Sequence, residues 1–139
     1  MKTLVLYHTY SGRTKAIAEE LASKESADIA EIKDVKRPWK LKAFTVGIVA
    51  SIKGKAWRIR PIDADLAGYD RLILLSPVWA SNATPAFNAM LELLPEGKTV
   101  EIRMVSASGE SSCRERLEAK ISGKGSTLTG FEDIKAARK

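Results

Sequence analysis

Short apolar runs alternate along the chain with stretches of helical spacing. The runs have the length and composition of buried strands, and they cover residues 2–7, 27–33, 71–78, 99–106 and 125–131. The helical stretches place small and apolar residues three or four positions apart, and they cover residues 13–24, 84–94 and 111–121. The final segment, 132–139, predicts a frayed helical end.

This alternation of strands and helices predicts one α/β domain over residues 1–139. Strands connected by helices form parallel sheets with helices on both faces, which is a doubly wound arrangement. Five strands in a chain of this length favour the order 2-1-3-4-5 over the six-stranded dinucleotide-binding arrangement.

The composition, with 45% apolar and 29% charged residues, is typical of a soluble globular protein. We expect no membrane span, because the apolar runs are far shorter than about 20 residues. The short N-terminal run lacks the features of a signal peptide. Cys113 is the only cysteine, which fits a cytoplasmic protein and a packing role for this residue.

The positive charge is concentrated in one part of the chain, residues 33–60, which we call the basic segment. It holds nine Lys and Arg residues and one acid, whereas the whole chain has a net charge of only +6. The segment must cross from strand 2 to strand 3, so a core-covering helix is the favoured interpretation. Its proposed apolar stripe consists of Leu41, Phe44, Ile48 and Ile52.

Trp39 and Trp57 lie among the cations of the basic segment. This pattern also suggests an interfacial surface that binds a partner or touches a membrane. Basic and aromatic residues together are compatible with nucleic acid. No nucleic-acid motif accompanies them, so we expect no nucleic-acid partner.

Three polar loops are predicted to meet at the carboxyl edge of the sheet, where doubly wound folds bind ligands. They are loop 1 (8–14), loop 2 (77–84) and loop 3 (106–112). Loop 1, HTYSGRT, leads into a helix N-terminus, which favours an anion. Its glycine and hydroxyl groups predict a phosphate cradle, and simple helix capping is the alternative.

Loops 2 and 3 contain groups suited to a flat ligand. Trp79 in loop 2 lies where an aromatic ring would bind, or it packs only against protein. Loop 3 is small, polar and contains Gly109, so it either approaches a ring edge with its backbone or forms a simple turn.

Loops 1 and 2 together resemble those of the flavodoxin family. The spacing of Thr9, Ser11, Gly12 and Thr14 matches the family's phosphate loop, and SPVWASNATPA is similar to its loop after the third strand. The resemblance implies a flavodoxin-like fold with noncovalently bound FMN, its phosphate in loop 1 and its ring between Trp79 and loop 3. The cofactor-binding residues implied are Thr9, Tyr10, Ser11, Gly12, Arg13, Thr14, Pro77, Val78, Trp79, Ala80, Ser81, Asn82, Ser106, Ala107, Ser108 and Gly109.

The resemblance implies an FMN-binding redox protein that transfers electrons through the flavin. The alternatives are an NAD(P)H- or quinone-linked flavin oxidoreductase, and a binding or regulatory module that has lost FMN. Expected partners are a redox protein with an acidic surface, or a small-molecule reductant or quinone, with peripheral membrane contact as a further option. No catalytic side chain and no metal site is predicted, and whether the protein is an enzyme stays open.

Several positions depart from the family pattern. Carrier flavodoxins are usually acidic, whereas this chain is basic. Arg13 lies inside the phosphate loop, Ser81 takes the place of a common glycine, and loop 3 has no aromatic residue. His8, the only histidine, has no partner visible in the sequence and is interpreted as incidental. Asp63, Asp65 and Asp70 are too widely spaced for a metal site and predict a solvated loop.

Overall fold

The computed structural model describes residues 2–35, 47–53 and 56–136. The strands are β1 (Thr3–Tyr7), β2 (Asp28–Glu31), β3 (Arg71–Trp79), β4 (Asn82–Ala83), β5 (Thr99–Ser106) and β6 (Thr127–Lys135). The helices are α1 (Arg13–Glu25), α2 (Ile48–Ile52), α3 (Pro85–Leu91) and α4 (Arg114–Gly123), with a 3₁₀ turn at Leu66–Gly68.

The long strands form one parallel sheet in the order β2-β1-β3-β5-β6. Counted without the two-residue β4, this is the predicted order 2-1-3-4-5, so the doubly wound fold is confirmed. The short β4 pairs antiparallel with the end of β3.

Two apolar layers cover opposite faces of the sheet, because side chains alternate along each strand. On one face α1 packs over the centre of the sheet, in a cluster of Val5, Tyr7, Ala18, Ala22, Ile73 and Leu75. The other face carries the larger core beneath α3 and α4, which includes Leu4, Leu6, Leu72, Leu74, Phe87, Met90, Ile102, Leu117 and Ile121.

The α1 face becomes charged where it continues onto β5. Glu101 pairs with Arg71 of β3 and with Arg103, whose own guanidinium lies 3.2 Å from Glu132 of β6. The hydrogen bonds from Arg71 and Arg103 lower the pKa of Glu101. The alternation in TVEIRMVS therefore keeps a polar surface on one side of β5 and core residues on the other.

Two predictions about elements are wrong. Residues 132–135 belong to β6 and not to a helical tail, because this stretch pairs with β5 as far as Ser106 and Lys135. In the basic segment, α2 covers Ile48–Ile52, but Ile52 is 50% exposed and so is not part of a core stripe. Trp39, Leu41 and Phe44 lie outside the described residues.

Candidate functional site

The three predicted loops lie together at the carboxyl edge of the sheet because β1, β3 and β5 are neighbours. The N–H of Ser112 donates to the carbonyl of Ser81 at 2.8 Å and joins loop 3 to loop 2. The Arg13 guanidinium donates to the carbonyl of Ala136 at 2.9 Å, and the N–H of Ala136 donates to the backbone carbonyl of Ser106 at 2.8 Å. The end of β6 thus connects loop 1 with loop 3.

Loop 1 forms an open cradle at the start of α1. Gly12 has a φ of +94°, which favours glycine, and a Cβ added there would meet nothing within 4 Å. The hydroxyl oxygen of Thr9 accepts the N–H of Gly12 at 3.1 Å, so its own proton remains available to a ligand. Ser11 is exposed beside the cradle, whereas Thr14 is buried in the first helical turn.

Loop 2 is a tight hairpin, and part of the predicted loop is strand. Pro77, Val78 and Trp79 continue β3, and Trp79 pairs with Asn82. The two residues at the tip, Ala80 and Ser81, have φ values of +49° and +66°. Two positive φ values are typical of the type I′ turn that matches strand twist, which explains why glycine suits position 81.

Trp79 is the centre of an aromatic cluster. Its ring centroid lies 5.7 Å from that of Tyr10 and 6.4 Å from those of His8 and Trp57, all in edge-to-face geometry. A Cβ at Gly47 would approach the Trp79 ring to 2.7 Å, so only glycine fits there. Parts of the basic segment therefore pack directly against the residue predicted to contact a flat ligand.

Loop 3 is held by its own serines. The hydroxyl of Ser106 accepts the N–H of Gly109 at 2.9 Å, and that of Ser108 accepts the N–H of Glu110 at 3.3 Å. Ala107 and Ser108 are exposed at the tip. The loop therefore presents backbone groups and small side chains toward solvent.

The structure corrects the interpretation of His8 as incidental. His8 is buried, with Nδ1 2.7 Å from Thr84 Oγ1 and Nε2 3.1 Å from Asp34 Oδ2. Asp34 follows β2 and Thr84 precedes α3, so the imidazole connects three parts of the carboxyl edge. The signal in the sequence was that residues 8 and 34 follow two neighbouring strands.

A cavity of about 510 Å³ lies beside loop 1 on its β2 side. It is lined by His8, Thr9, Tyr10, Ser11, Gly12, Lys15, Glu31, Ile32, Lys33, Asp34 and Arg60. Residues of loops 2 and 3 do not contribute to this lining. The cavity therefore includes Thr9, Ser11 and Gly12 of the phosphate cradle and extends from them toward β2.

Several further residues have structural roles. Cys113 is buried in the core, and burial raises the pKa of its thiol. Asp65 accepts the N–H of Ala67 at 3.2 Å at the start of the 3₁₀ turn, while Asp63 and Asp70 are exposed. Within residues 2–35, 47–53 and 56–136, no three His, Cys, Asp or Glu side chains are grouped to hold a metal. The described helices include none that is long and apolar enough to span a membrane.

Solved structures with this fold include flavoproteins. The flavoprotein from Lactobacillus acidophilus in complex with FMN aligns with a TM-score of 0.74 and 22% identity, over 94% of this chain and 91% of that one. A candidate flavoprotein from Bacteroides eggerthii aligns with a TM-score of 0.79 and 20% identity, over 94% and 86%. Flavodoxin 1 from Bacillus cereus aligns with a TM-score of 0.57 and 18% identity, over 100% and 87%.

No family profile and no curated protein sequence matches the chain. The structural matches show that this protein has the flavodoxin fold, and at these identities they show the fold alone.

Proposed function

We propose that this protein binds FMN noncovalently and transfers electrons through it. The observation that carries the proposal is the cradle of loop 1, where Gly12 in a left-handed conformation leaves open space at the start of α1. The support from outside the chain is that the same fold binds FMN in the Lactobacillus acidophilus flavoprotein.

The phosphate of FMN would bind in the cradle. The first N–H groups of an α-helix have no intrahelical partner and attract an anion. Thr9 and Ser11 add hydroxyl donors beside them, and the absence of a side chain at Gly12 lets the phosphate come close. Arg13 is directed to the Ala136 carbonyl, so it closes the loop and is not the main phosphate ligand.

The flavin ring would lie beside Trp79 and loop 3. The contacts of Trp79 with Tyr10 and Trp57 fix its ring, and the turn between Ser106 and Gly109 fixes the loop. FMN supplies the one- and two-electron chemistry when bound, and the protein supplies binding and tuning. No side chain needs to react covalently, so we assign none as catalytic.

The purified protein tests this proposal in two steps. Absorbance near ~450 nm, with FMN identified after denaturation, establishes the cofactor. Bleaching by NAD(P)H without a second protein would identify a reductase, and bleaching only through a partner would identify a carrier. A colourless protein that fails to bind added FMN would support the alternative of a binding or regulatory module that has lost FMN.

Ser11→Ala tests the phosphate position. Because Ser11 is exposed, its loss leaves the fold intact. Losing one hydrogen bond to a charged phosphate should cost about 1.5–3 kcal/mol in FMN binding, with little change in riboflavin binding. Ser108→Ala in loop 3 is the matched control, and it should not discriminate between the two ligands. Equal weakening of FMN and riboflavin by Ser11→Ala would place the phosphate elsewhere.

A further inference from the structure

The cavity beside loop 1 contains two carboxylates held in fixed positions. The Tyr7 hydroxyl donates to Glu31 Oε1 at 3.0 Å, and His8 Nε2 donates to Asp34 Oδ2 at 3.1 Å. Burial and the negative charge of Glu31 raise the pKa of Tyr7 well above its usual range, so this phenol keeps its proton. Both carboxylates line the same cavity.

The second carboxylate oxygen of Asp34 has no hydrogen-bond partner among the residues that the structure describes. The side chain is only 10% exposed, and its Oδ1 is buried and unpaired. Buried polar atoms are nearly always hydrogen-bonded, because leaving one unpaired is costly. A ligand hydroxyl is the kind of donor that this oxygen lacks.

Three cations surround the same cavity. Lys15, Lys33 and Arg60 line it, and none of them forms an ion pair with the residues that the structure describes. The N–H of Arg60 donates to the carbonyl of Lys33 at 2.7 Å, and that of Val35 to Arg58 at 3.3 Å. These bonds bring the two ends of the basic segment together beside the N-terminus of α1.

We propose that this cavity binds a phosphorylated ribose. Neighbouring ribose hydroxyls would donate to the carboxylates of Glu31 and Asp34, and the phosphate would face the cations. Nucleotide-binding βαβ units likewise place an acid after the second strand on the ribose. A bare divalent cation fits less well, because the positive charges of Lys15, Lys33 and Arg60 would repel it.

This site borders the proposed FMN site, because residues 9–12 of loop 1 also line the cavity, but its two acids lie in and after β2, away from the flavin ring site. The phosphorylated ribose has two possible sources: the adenylate half of FAD, or a separate nucleotide that binds next to FMN. Both present a ribose diol and a phosphate, so the cavity alone does not distinguish them.

Calorimetric titration with 5′-AMP, in the presence of saturating FMN and in its absence, tests the site itself. We expect 5′-AMP to bind in both cases, and 2′,3′-dideoxy-AMP to bind about tenfold more weakly or worse, because two donors to charged acceptors are missing. Arg60→Gln and Glu31→Gln should each weaken 5′-AMP about tenfold and leave FMN affinity unchanged. Arg58→Gln, which removes the same charge from the same segment outside the cavity, is the control and should change neither.

A comparison of FAD with FMN identifies the source. If FAD binds more tightly than FMN and Glu31→Gln removes the difference, the cavity holds the adenylate half of FAD. If FAD and FMN bind equally and 5′-AMP binds together with FMN, the ligand is a separate nucleotide. Two results would overturn this inference and leave the FMN proposal unaffected. The first is normal FMN binding without any 5′-AMP binding, and the second is 5′-AMP binding whose affinity is unchanged by Arg60→Gln and Glu31→Gln.

Discussion

At the scale of residues, the pair of His8 and Asp34 connects separate parts of the carboxyl edge. His8 is 3% exposed and bonds to groups that follow β2 and precede α3. Removing one member of a buried pair leaves the other charged or polar group without a partner, which costs far more than the pair contributes. The pair should therefore be sensitive to single substitutions.

His8→Leu should lower the free energy of unfolding by about 3–5 kcal/mol, because Asp34 is left buried without a partner. Urea denaturation measures this loss. His8→Gln, whose amide can still donate toward Asp34, should lose clearly less, and the double substitution His8→Leu with Asp34→Leu should recover part of the stability. A loss below about 1 kcal/mol for His8→Leu would show that the pair is not a structural contact.

The tip of loop 2 offers a substitution that should stabilise the protein. Ser81 has a φ of +66°, a region that costs a residue with a Cβ about 1–2 kcal/mol and costs glycine nothing. Glycine loses more conformational entropy on folding than serine, which offsets part of this gain. Ser81→Gly should therefore raise the free energy of unfolding by up to about 1 kcal/mol. Thermal or urea unfolding checks this.

Ser23→Gly in α1 is the matched control for the turn. The substitution is chemically the same, but residue 23 lies in a helix. It should lose about 0.5 kcal/mol through lower helix propensity. The two changes should therefore have opposite signs, and a loss of stability in Ser81→Gly would contradict the strained turn.

At the scale of elements, β5 carries core residues on one face and charged residues on the other. Its inward residues, such as Ile102, pack beneath α3 and α4, and its outward residues form the charged row with Arg71 and Glu132. The side chains of Arg71, Glu101 and Arg103 are 24%, 15% and 16% exposed, so this polar face is only partly accessible to solvent. Because the ion pairs of Glu101 need its ionised form, the interaction of β5 with β3 depends on pH.

The pKa of Glu101 is lowered in the folded state by the hydrogen bonds from Arg71 and Arg103. A group with a lowered folded pKa stabilises the protein above its unfolded pKa, and the contribution is lost as pH falls through the folded value. We expect the wild type to lose stability below about pH 4.5, the ordinary value for glutamate. Urea denaturation of wild type and Glu101→Gln between pH 7 and pH 3, about the range in which carboxylates titrate, measures the effect.

The difference in stability between the wild type and Glu101→Gln should be largest near neutral pH and should shrink as the pH falls. Glu118→Gln, an exposed change in α4, is the control and should run parallel to wild type. A constant difference across the range would mean that the Glu101 charge does not contribute.

At the scale of the whole molecule, the positive charge is one-sided. The basic segment carries nine of the 23 Lys and Arg residues with a single acid. Two of its apolar residues, Val49 and Ile52, are each 50% exposed, so the segment offers apolar as well as charged surface. We propose that this surface meets an acidic redox protein, because such fields steer association.

Lys53→Gln with Arg58→Gln should slow association with an acidic redox partner and flatten its dependence on salt. Stopped-flow mixing at several salt concentrations measures both. Trp57→Ala should change this on-rate little, because the Trp57 ring packs against Trp79 and is not a free anchor. Salt-resistant sedimentation with anionic vesicles that depends on Trp57 would instead support membrane seating.

By itself, the sequence determined the class of fold and the position of the loops. Strands and helices differ in the period of their apolar residues, and this period is a local property of the chain. The alternation therefore predicted the doubly wound sheet and placed loops 1, 2 and 3 at its carboxyl edge. The glycine and hydroxyls of loop 1 lie together at the start of α1, and their role in binding the FMN phosphate stays a proposal.

Only the tertiary structure decided the features that depend on contacts between residues far apart in the sequence. The end of β6 reads as a helix locally, but pairing with β5 makes it a strand, since sheet hydrogen bonds outweigh weak helix propensity. The hydrogen bonds of His8 with Asp34 and Thr84 form only in the folded chain, where three separate segments meet. The hydrogen bond from Arg60 to Lys33 likewise requires the basic segment to return to β2. A cavity formed by residues far apart in sequence has no local pattern, so only the folded chain reveals it.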